Sequence, residues 1–153
     1  MACWLFKSEP EVFSLTDLQR APKQTTVWEG VRNYQARNFL RDQAKQGDKV
    51  LFYHSSTAEP GVVGVCVIAR GAYPDPAQFD KRSEYYDAAS RPEAPRWVCV
   101  DVTFERALQR TVTLAMLRAE PKLAQMQLLK RGNRLSVMPL TADEFKSIVK
   151  LGA

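Results

Sequence analysis

One eleven-residue stretch of this chain combines flat aromatic side chains with planar hydrogen-bonding groups. It covers residues 28–38 and reads Trp-Glu-Gly-Val-Arg-Asn-Tyr-Gln-Ala-Arg-Asn. A hydrophobic core would not accept so many polar heads, because each buried one must find a partner. Proteins recognise single nucleobases by stacking them on such rings and hydrogen-bonding their edges. The stretch therefore predicts a base-binding pocket.

The side chains of this stretch suggest separate roles in such a pocket. We expect Trp28 to form a stacking wall, and Asn33 to bind the edge of a base because its amide both donates and accepts. Tyr34 and Asn38 are four residues apart, so on a helix they would share one face. The predicted base pocket comprises Trp28, Gly30, Val31, Arg32, Asn33, Tyr34, Asn38, His54 and Ser55.

Residues outside the stretch complete the predicted site. His54 and Ser55 end a predicted strand, where the mouth of a small barrel would lie. Basic and polar side chains are expected at the rim, where they would contact phosphates. The predicted rim or phosphate set comprises Lys7, Ser8, Arg37, Trp97, Arg134 and Ser136. Structural alternatives stay open, since Trp28 and Trp97 would also suit a core and Arg37 a solvated helix face.

The overall charge agrees with an anionic partner. The 153 residues carry a formal net charge of +5, and the pI is about 9.2. A basic excess favours polyanions such as nucleic acids. No apolar run approaches the roughly 18 residues that span a bilayer, so no membrane partner is expected. The first residues lack a secretory signal pattern, and we expect a cytoplasmic protein, or a nucleoid-associated one in a bacterium.

The cysteines and the histidine content argue against a metal site. Cys3, Cys66 and Cys99 are widely spaced, lie in apolar stretches and form no Cys-x-x-Cys pair. Buried free thiols are the expected state. With His54 as the only histidine, a structural zinc site lacks ligands. We therefore expect neither a metal nor another cofactor.

Hydrophobic periodicity predicts the main strands and helices. The predicted strands cover 3–7, 48–55, 62–70, 97–108 and 134–138. Helices are predicted over 14–21, 35–44, 113–120, 122–130 and from 141 towards the C-terminus. Ser14 and Asp17 would form a capping box at the first helix, and Thr141 would form another at the last one with Glu144. Segment 73–96 is rich in proline and tyrosine, and we expect an ordered excursion packed over the body.

These elements indicate an α+β fold. Strands and helices do not alternate regularly, which argues against a doubly wound parallel sheet. A small barrel or a strongly bent sheet with helices around it fits better. We expect one domain over residues 1–153, because this length supports one sizeable core.

Several pieces of the chain, taken together and in order, resemble one family. They are Trp-Leu-Phe-Lys-Ser-Glu-Pro at 4–10, Trp28, Gly-Val-Arg-Asn-Tyr-Gln-Ala-Arg-Asn at 30–38, Gly-Asp at 47–48, Phe-Tyr-His-Ser at 52–55, Tyr-Tyr-Asp at 85–87, Pro-Arg-Trp at 95–97 and Arg-Leu-Ser-Val-Met-Pro-Leu at 134–140. Any one piece would be weak, but together they span nearly the whole chain. On these motifs the sequence is identified as a member of the EVE domain family.

This resemblance implies both a fold and a function. The implied fold is PUA-like, a small mixed β-barrel of about five to six strands with flanking helices. The YTH domain, which reads methylated adenine in RNA, and the SRA domain, which holds a flipped methylcytosine, share it. The resemblance therefore implies a nucleic-acid-binding module that reads a modified cytosine or adenine in DNA or RNA.

Recognition without catalysis is thus the expected function, and two alternatives stay open. An enzyme acting on modified nucleotides or nucleic acid would need a carboxylate pair, for which Glu9, Glu29, Asp48 and Glu59 are candidates. A serine triad is a poorer fit, because His54 and Ser55 are adjacent in sequence. A protein-interaction module would use segment 73–96 as its contact surface. The sequence leaves open which base modification is read and whether the ligand is DNA, RNA or a free nucleotide. It also leaves open the oligomeric state and the protein partners.

Overall fold

A six-stranded sheet forms the centre of the computed structural model, which describes residues 2–153. The strands are β1 (Cys3–Ser8), β2 (Thr25–Trp28), β3 (Lys49–His54), β4 (Gly61–Pro74), β5 (Val98–Thr113) and β6 (Val137–Leu140). Their order across the sheet is β2-β5-β4-β3-β1-β6. The helices are α1 (Leu15–Arg20), α2 (Tyr34–Asp42), α3 (Leu114–Ala119) and α4 (Ala142–Leu151). The α+β class expected from the sequence is confirmed.

Strand β1 lies inside the sheet because its residues are apolar on both faces. Trp4, Leu5 and Phe6 are each at most 1% exposed. The strand pairs in parallel with β3 and antiparallel with β6, whereas all other neighbouring strands pair antiparallel. A continuous apolar run is typical of strands that are covered on both faces. The strand predicted at 3–7 is confirmed.

The sheet rolls up although it stays open, with β2 and β6 at its edges. Strand β2 is four positions away from β1, which would correspond to about 19 Å in a flat sheet. Instead, the ring centre of Trp28 on β2 lies 5.3 Å from that of Phe6 on β1 and 5.4 Å from that of Phe52 on β3. Register shifts between β4 and β5 mark β-bulges, which bend and twist strands. The bent sheet expected from the sequence is therefore present.

Side-chain caps fix where two of the helices begin. Ser14 accepts from the N–H of Asp17 at 3.1 Å, and Asp17 accepts in return from the N–H of Ser14 at 2.8 Å. At α4, Thr141 and Glu144 form the same reciprocal pair. Both predicted capping boxes are confirmed. No helix within residues 2–153 is long and apolar enough to cross a membrane.

Three elements differ from the sequence prediction. Strand β2 is missing from it, because its four residues form an edge strand without alternating burial. The helix predicted over 122–130 is wrong: two 3₁₀ turns, Pro121–Leu123 and Gln127–Leu129, replace it, and Met126 between them has an extended backbone. Strand β6 begins only at Val137, so residues 134–136 precede the strand instead of belonging to it.

The segment 73–96 is organised around the buried side chain of Gln78. Its amide donates to the carbonyl oxygens of Asp75 and Trp97, both at 2.8 Å. Its amide oxygen accepts from the hydroxyl of Ser90 at 2.6 Å and from the backbone N–H of Trp97 at 3.0 Å. These bonds tie the ends of the segment together. The ordered excursion expected from the sequence is confirmed.

All three cysteines are buried and free. Burial raises the pKa of Cys66 and of Cys99 to about 12 each, so both remain protonated thiols at neutral pH. The expectation of buried free thiols is confirmed. Among residues 2–153, no three His, Cys, Asp or Glu side chains come together in a way that could hold a metal ion.

We expect Asp48→Ala to destabilise the protein. Asp48 is 5% exposed, and its carboxylate accepts from the indole N–H of Trp4 and the backbone N–H of Lys45, both at 2.9 Å. A buried donor left without a partner costs about 1–3 kcal/mol. Urea unfolding should therefore show at least that loss, whereas Asp42→Ala at the exposed end of α2 should change stability by less than about 0.5 kcal/mol. Equal losses would show that these bonds contribute nothing beyond surface charge.

Candidate functional site

A cavity of about 620 Å³ opens at the end of the sheet where the parallel strands β1 and β3 both terminate. Backbone hydrogen bonds fix the segments around it. Ser55, after β3, donates its N–H to the carbonyl of Ser8 at 3.0 Å, and the N–H of Lys7 donates to the carbonyl of Ser136 at 2.9 Å. Three chain segments therefore meet at one place, and these residues all line the cavity.

Trp28 belongs to both the core and the cavity lining. It ends β2, is only 8% exposed, and packs against Phe6 and Phe52. The part that these rings leave uncovered borders the cavity, where Phe13 and Val31 add further apolar surface. Trp28 therefore lies both in the core and in the cavity lining.

Charged and hydroxyl groups share this lining. It includes Lys7, Arg134, Glu9, Glu29, Glu84, Ser8, Ser55 and Ser136. Burial, and after it the negative charge of Asp75, raises the pKa of the Glu29 carboxyl. Burial also lowers the pKa of the Lys7 ammonium. The Glu29 side chain is exposed, whereas the Lys7 side chain is partly buried.

Gly30 lets a tyrosine from a distant segment form part of the wall. A Cβ atom on Gly30 would lie 2.5 Å from Cζ of the Tyr85 ring, and the φ angle of Gly30 is +83°. Both features require glycine, because a side chain would clash and L-residues rarely adopt this backbone conformation. Tyr85, which belongs to segment 73–96, thereby lines the cavity beside the end of β2.

An ion pair holds Tyr85 in that position. The carboxylate of Asp75 is fully buried and accepts from the N–H of Gly30 at 2.9 Å and from Nη1 of Arg32 at 3.0 Å. Nη2 of Arg32 in turn donates to the carbonyl of Tyr85 at 2.9 Å. The guanidinium carbon of Arg32 lies 5.4 Å from the Tyr85 ring centre. The Asp75–Arg32 pair thus connects Gly30 to segment 73–96, which supplies Tyr85.

A row of stacked cations and rings continues away from the cavity. The guanidinium of Arg32 lies 5.2 Å from the ring centre of Trp97, and Trp97 stacks on Tyr34 with ring centres 4.8 Å apart. The guanidinium of Arg37 covers the other end, 4.8 Å from the Tyr34 ring centre. Each such contact stabilises by about 0.5–1.5 kcal/mol. The row therefore supports the wall that Tyr85 forms.

The structure divides the predicted site residues into two groups. Those that line the cavity are Lys7, Ser8, Trp28, Gly30, Val31, Ser55, Arg134 and Ser136. Those placed outside the lining are Arg32, Asn33, Tyr34, Arg37, Asn38, His54 and Trp97. Contrary to the sequence prediction, the structure does not bring Asn33, Tyr34 and Asn38 into one pocket with Trp28. Arg134 and Ser136 do reach the cavity, although they come from the segment before β6 and not from a strand.

Two asparagines predicted for the base pocket, Asn33 and Asn38, use their amide oxygens within the protein. Oδ1 of Asn33 accepts from the N–H of Ala36 at 3.0 Å and caps the N-terminus of α2. Oδ1 of Asn38 accepts from Nη2 of Arg37 at 2.9 Å. The N-terminus of α2 and the guanidinium of Arg37 therefore donate to the two amide oxygens that the sequence prediction placed in the base pocket.

His54 likewise serves the start of a helix. Its Nε2 accepts from the N–H of Leu15 at 3.1 Å, and its ring meets Phe52 edge-on with centres 5.5 Å apart. Burial lowers the pKa of the imidazole. Accepting an N–H requires an unprotonated Nε2, so His54 is a neutral structural group at α1. Its neighbour Ser55 lines the cavity, whereas His54 does not.

Some lining residues escape the sequence prediction. Glu29 lies inside the stretch 28–38, but the sequence suggests it only as a catalytic carboxylate. Glu84 and Tyr85 lie in segment 73–96, whose packing partner the sequence does not indicate. The adjacent tyrosines at 85 and 86, in an otherwise polar stretch, are the one signal that could have pointed to this wall. Val12 and Val27, both exposed at the cavity, carry no such signal.

Nearly the whole chain matches one family, since the EVE domain family model covers residues 2–151. The chain belongs to the EVE domain family. Human thymocyte nuclear protein 1 is 45% identical to this EVE domain over 165 residues, which cover 97% of this chain and 72% of the human protein. The membership expected from the sequence motifs is confirmed.

Solved structures share the fold of this EVE domain. The crystal structure of human THYN1 protein in complex with 5-methylcytosine containing DNA has a TM-score of 0.94 at 44% identity, covering 99% of this chain and 98% of that chain. The YTH domain of Zygosaccharomyces rouxii MRB1 protein, in complex with N6-methyladenosine RNA, has a TM-score of 0.54 at 15% identity, covering 98% of this chain and 85% of that one. The latter likeness concerns the fold alone. The expected PUA-like fold is confirmed.

The relatives also correct one expectation. The proteins from Gallus gallus, Homo sapiens and Rattus norvegicus are all named thymocyte nuclear protein 1. These names point to the nucleus, so the cytoplasmic location expected from the sequence is wrong. That expectation rested on the lack of a long apolar run and of a secretory signal pattern, neither of which distinguishes the cytoplasm from the nucleus.

Gly30→Ala should destabilise the EVE domain and displace Tyr85. The positive φ alone costs about 1–2 kcal/mol for a residue with a Cβ, and the clash with the ring adds to this. Gly47→Ala is the matched control, because Gly47 has a φ of +92° but nothing within 4 Å of its Cβ position. Urea unfolding should give the larger loss for Gly30→Ala. Equal losses would show that Tyr85 moves away without cost.

The contribution of His54 to stability should decrease as the pH falls. The unfolded imidazole titrates near pH 6.5, whereas burial lowers the pKa of His54 in the folded protein. The unfolded state therefore binds the proton first, and the stabilisation present above about pH 6.5 is lost as the pH falls through the folded pKa. Urea unfolding at pH 7.5 and pH 5 should show that the advantage of the wild type over His54→Gln shrinks at the lower pH. A constant advantage would contradict the Leu15 cap.

Proposed function

We propose that this EVE domain, acting as one module, binds nucleic acid and holds a single modified base in the cavity. One observation carries the proposal: a cavity of about 620 Å³ combines the rings of Trp28 and Tyr85 with carboxylates and hydroxyls. Sites for small ligands commonly have volumes of about 300–1,000 Å³. The human THYN1 complex with 5-methylcytosine containing DNA, at a TM-score of 0.94, supports a modified cytosine as the first candidate.

The ring face and the exocyclic amine of a cytosine both have candidate partners in this cavity. Trp28 and Tyr85 offer rings for stacking, which contributes about 1–3 kcal/mol per base. The carboxylate of Glu29 is the kind of acceptor that pairs with the exocyclic amine of cytosine. Glu29 is exposed and lines the cavity, so its carboxylate is open to such a donor. Trp28 and Tyr85 would therefore supply affinity, and Glu29 the choice of base.

The base modification would add a smaller, selective contribution. Taking a base out of a duplex costs a few kcal/mol, which stacking must offset. A methyl group that packs on apolar lining such as Phe13 or Val31 adds about 1 kcal/mol, or roughly five-fold in affinity. We therefore expect binding to many sequences with a modest preference for the modified base.

Recognition without catalysis is the function that we assign to the cavity. A nucleophilic Ser55 would need His54 as its base, but Nε2 of His54 already accepts the N–H of Leu15. Glu9 and Glu29 both line the cavity, so a reaction that uses two carboxylates is the alternative to test. Mass spectrometry of a 5-methylcytosine oligonucleotide after incubation with the protein should return it unchanged. A shortened or altered oligonucleotide would favour the enzyme instead.

Glu29→Ala should weaken binding to cytosine-containing ligands by about tenfold or more, because a hydrogen bond to a charged group contributes about 1.5–3 kcal/mol. The measurement is fluorescence anisotropy with labelled oligonucleotides, in DNA and in RNA, that carry cytosine, 5-methylcytosine, 5-hydroxymethylcytosine or N6-methyladenine at one position. Glu11→Ala is the control, because Glu11 is exposed and does not line the cavity.

The wild type should prefer one modified base, and the control should keep that preference. Trp28→Ala is unsuitable for this test, since Trp28 packs against Phe6 and Phe52 and its loss would disturb the core. Equal binding of every oligonucleotide by the wild type, or none, would overturn the reader function.

A further inference from the structure

A second cleft lies beside the cavity of about 620 Å³, which is called the base cavity below after the function proposed for it, and differs from it in charge. It has a volume of about 440 Å³ and lies between β3, α3 and the turn at 130–133. Its lining includes Lys7, Arg118, Lys130 and Arg131 but no aspartate or glutamate. The base cavity, in contrast, is lined by three glutamates as well as cations. This cleft, called the basic cleft below, therefore has a net positive lining.

The cations of the basic cleft have no counterion in the described part of the chain. Among residues 2–153, the salt bridges join other basic residues, such as Arg32, Arg41 and Lys49, to carboxylates. Uncompensated like charges in a concave surface attract anions and raise their local concentration. Lys7 is half-buried, and burial lowers the pKa of its ammonium. An anion beside it would compensate that charge.

The positions of the cations are built by the fold and are not an accident of one exposed helix face. Lys7 comes from β1, Arg118 from α3, and residues 130 and 131 from a tight turn. In that turn Gly132 has a φ of +77°, and the N–H of Asn133 donates to the carbonyl of Lys130 at 3.1 Å. Three separate parts of the chain therefore deliver positive charge to one cleft.

Lys7 lines both the base cavity and the basic cleft, so the two share one wall. We propose that the sugar-phosphate backbone flanking the bound base runs past Lys7 into the basic cleft, where Arg118, Lys130 and Arg131 bind its phosphodiester groups. The inference rests on the proposed function. Arginine matches phosphate oxygens with its planar fork, and lysine does so as a point charge. Such contacts hold the strand in register without reading its sequence.

The proposal predicts a loss of affinity that does not depend on the base. The test variant is R118Q/K130Q/R131Q, and the control is R20Q/K146Q/K150Q, whose three residues are exposed and line neither cavity. Both remove three positive charges, so an effect of net charge alone would be equal in the two. Thermal unfolding of each variant confirms that it is folded before binding is measured.

Binding is measured from 50 to 300 mM KCl with oligonucleotides that carry cytosine or 5-methylcytosine. The slope of log affinity against log salt should fall by about two to three in the test variant, because each lost phosphate contact removes about 0.7–0.9. The affinity for both oligonucleotides should fall by the same factor, which leaves the preference for the modified base unchanged. The control should keep nearly the wild-type slope.

Three other outcomes would each contradict a different claim. If the test and control variants show the same slope while the wild type still prefers the modified base, this inference fails and the proposed function stands. If the wild type binds no oligonucleotide, the proposed function fails and the inference fails with it. If polyglutamate displaces the oligonucleotide from the wild type at lower concentration than unlabelled DNA does, the basic cleft serves an acidic peptide and not a phosphate backbone.

Discussion

The buried carboxylate of Asp75 is the interaction on which the base cavity depends. It accepts from the N–H of Gly30, from Nη1 of Arg32 and from the N–H of Ala77. One side chain thus joins the cavity wall to segment 73–96, across 45 positions of the chain. A buried carboxylate is tolerated only with such partners, and removing one partner of a buried pair costs about 3–5 kcal/mol. Without this interaction Tyr85 would have no fixed place beside Gly30.

Some residues of the stretch 28–38 line the cavity, and others support that lining from behind. Trp28, Gly30 and Val31 border the cavity, whereas Arg32, Tyr34 and Arg37 build the stacked row with Trp97 behind it. Functional groups need a rigid second layer, because a loosely held wall does not discriminate between ligands of similar size. The density of polar and aromatic residues in this stretch therefore reflects the support of the site as much as the site itself.

The two concave surfaces differ in the charge of the residues that line them. The base cavity mixes carboxylates with cations, which suits hydrogen bonds to the edge of a base, and the basic cleft carries positive charge alone. Specific contacts and backbone contacts are commonly divided in this way in nucleic-acid recognition. Lys7 borders both surfaces and lies near the end of β1, which pairs with β3 and β6. The end of β1 therefore lies where the base cavity and the basic cleft meet.

The sequence by itself determined whatever depends on neighbouring residues. Capping at Ser14 and Thr141 and the buried strand at 3–7 follow from side-chain types a few positions apart, and the motifs identify the family. The tertiary structure decided which side chains face the cavity. Helix α2 begins at Tyr34 with Asn33 as its cap, a local contact that the sequence prediction missed when it placed this amide at a ligand. Tyr85 joins the wall through contacts across more than fifty positions, and such contacts leave no local pattern from which they could be predicted.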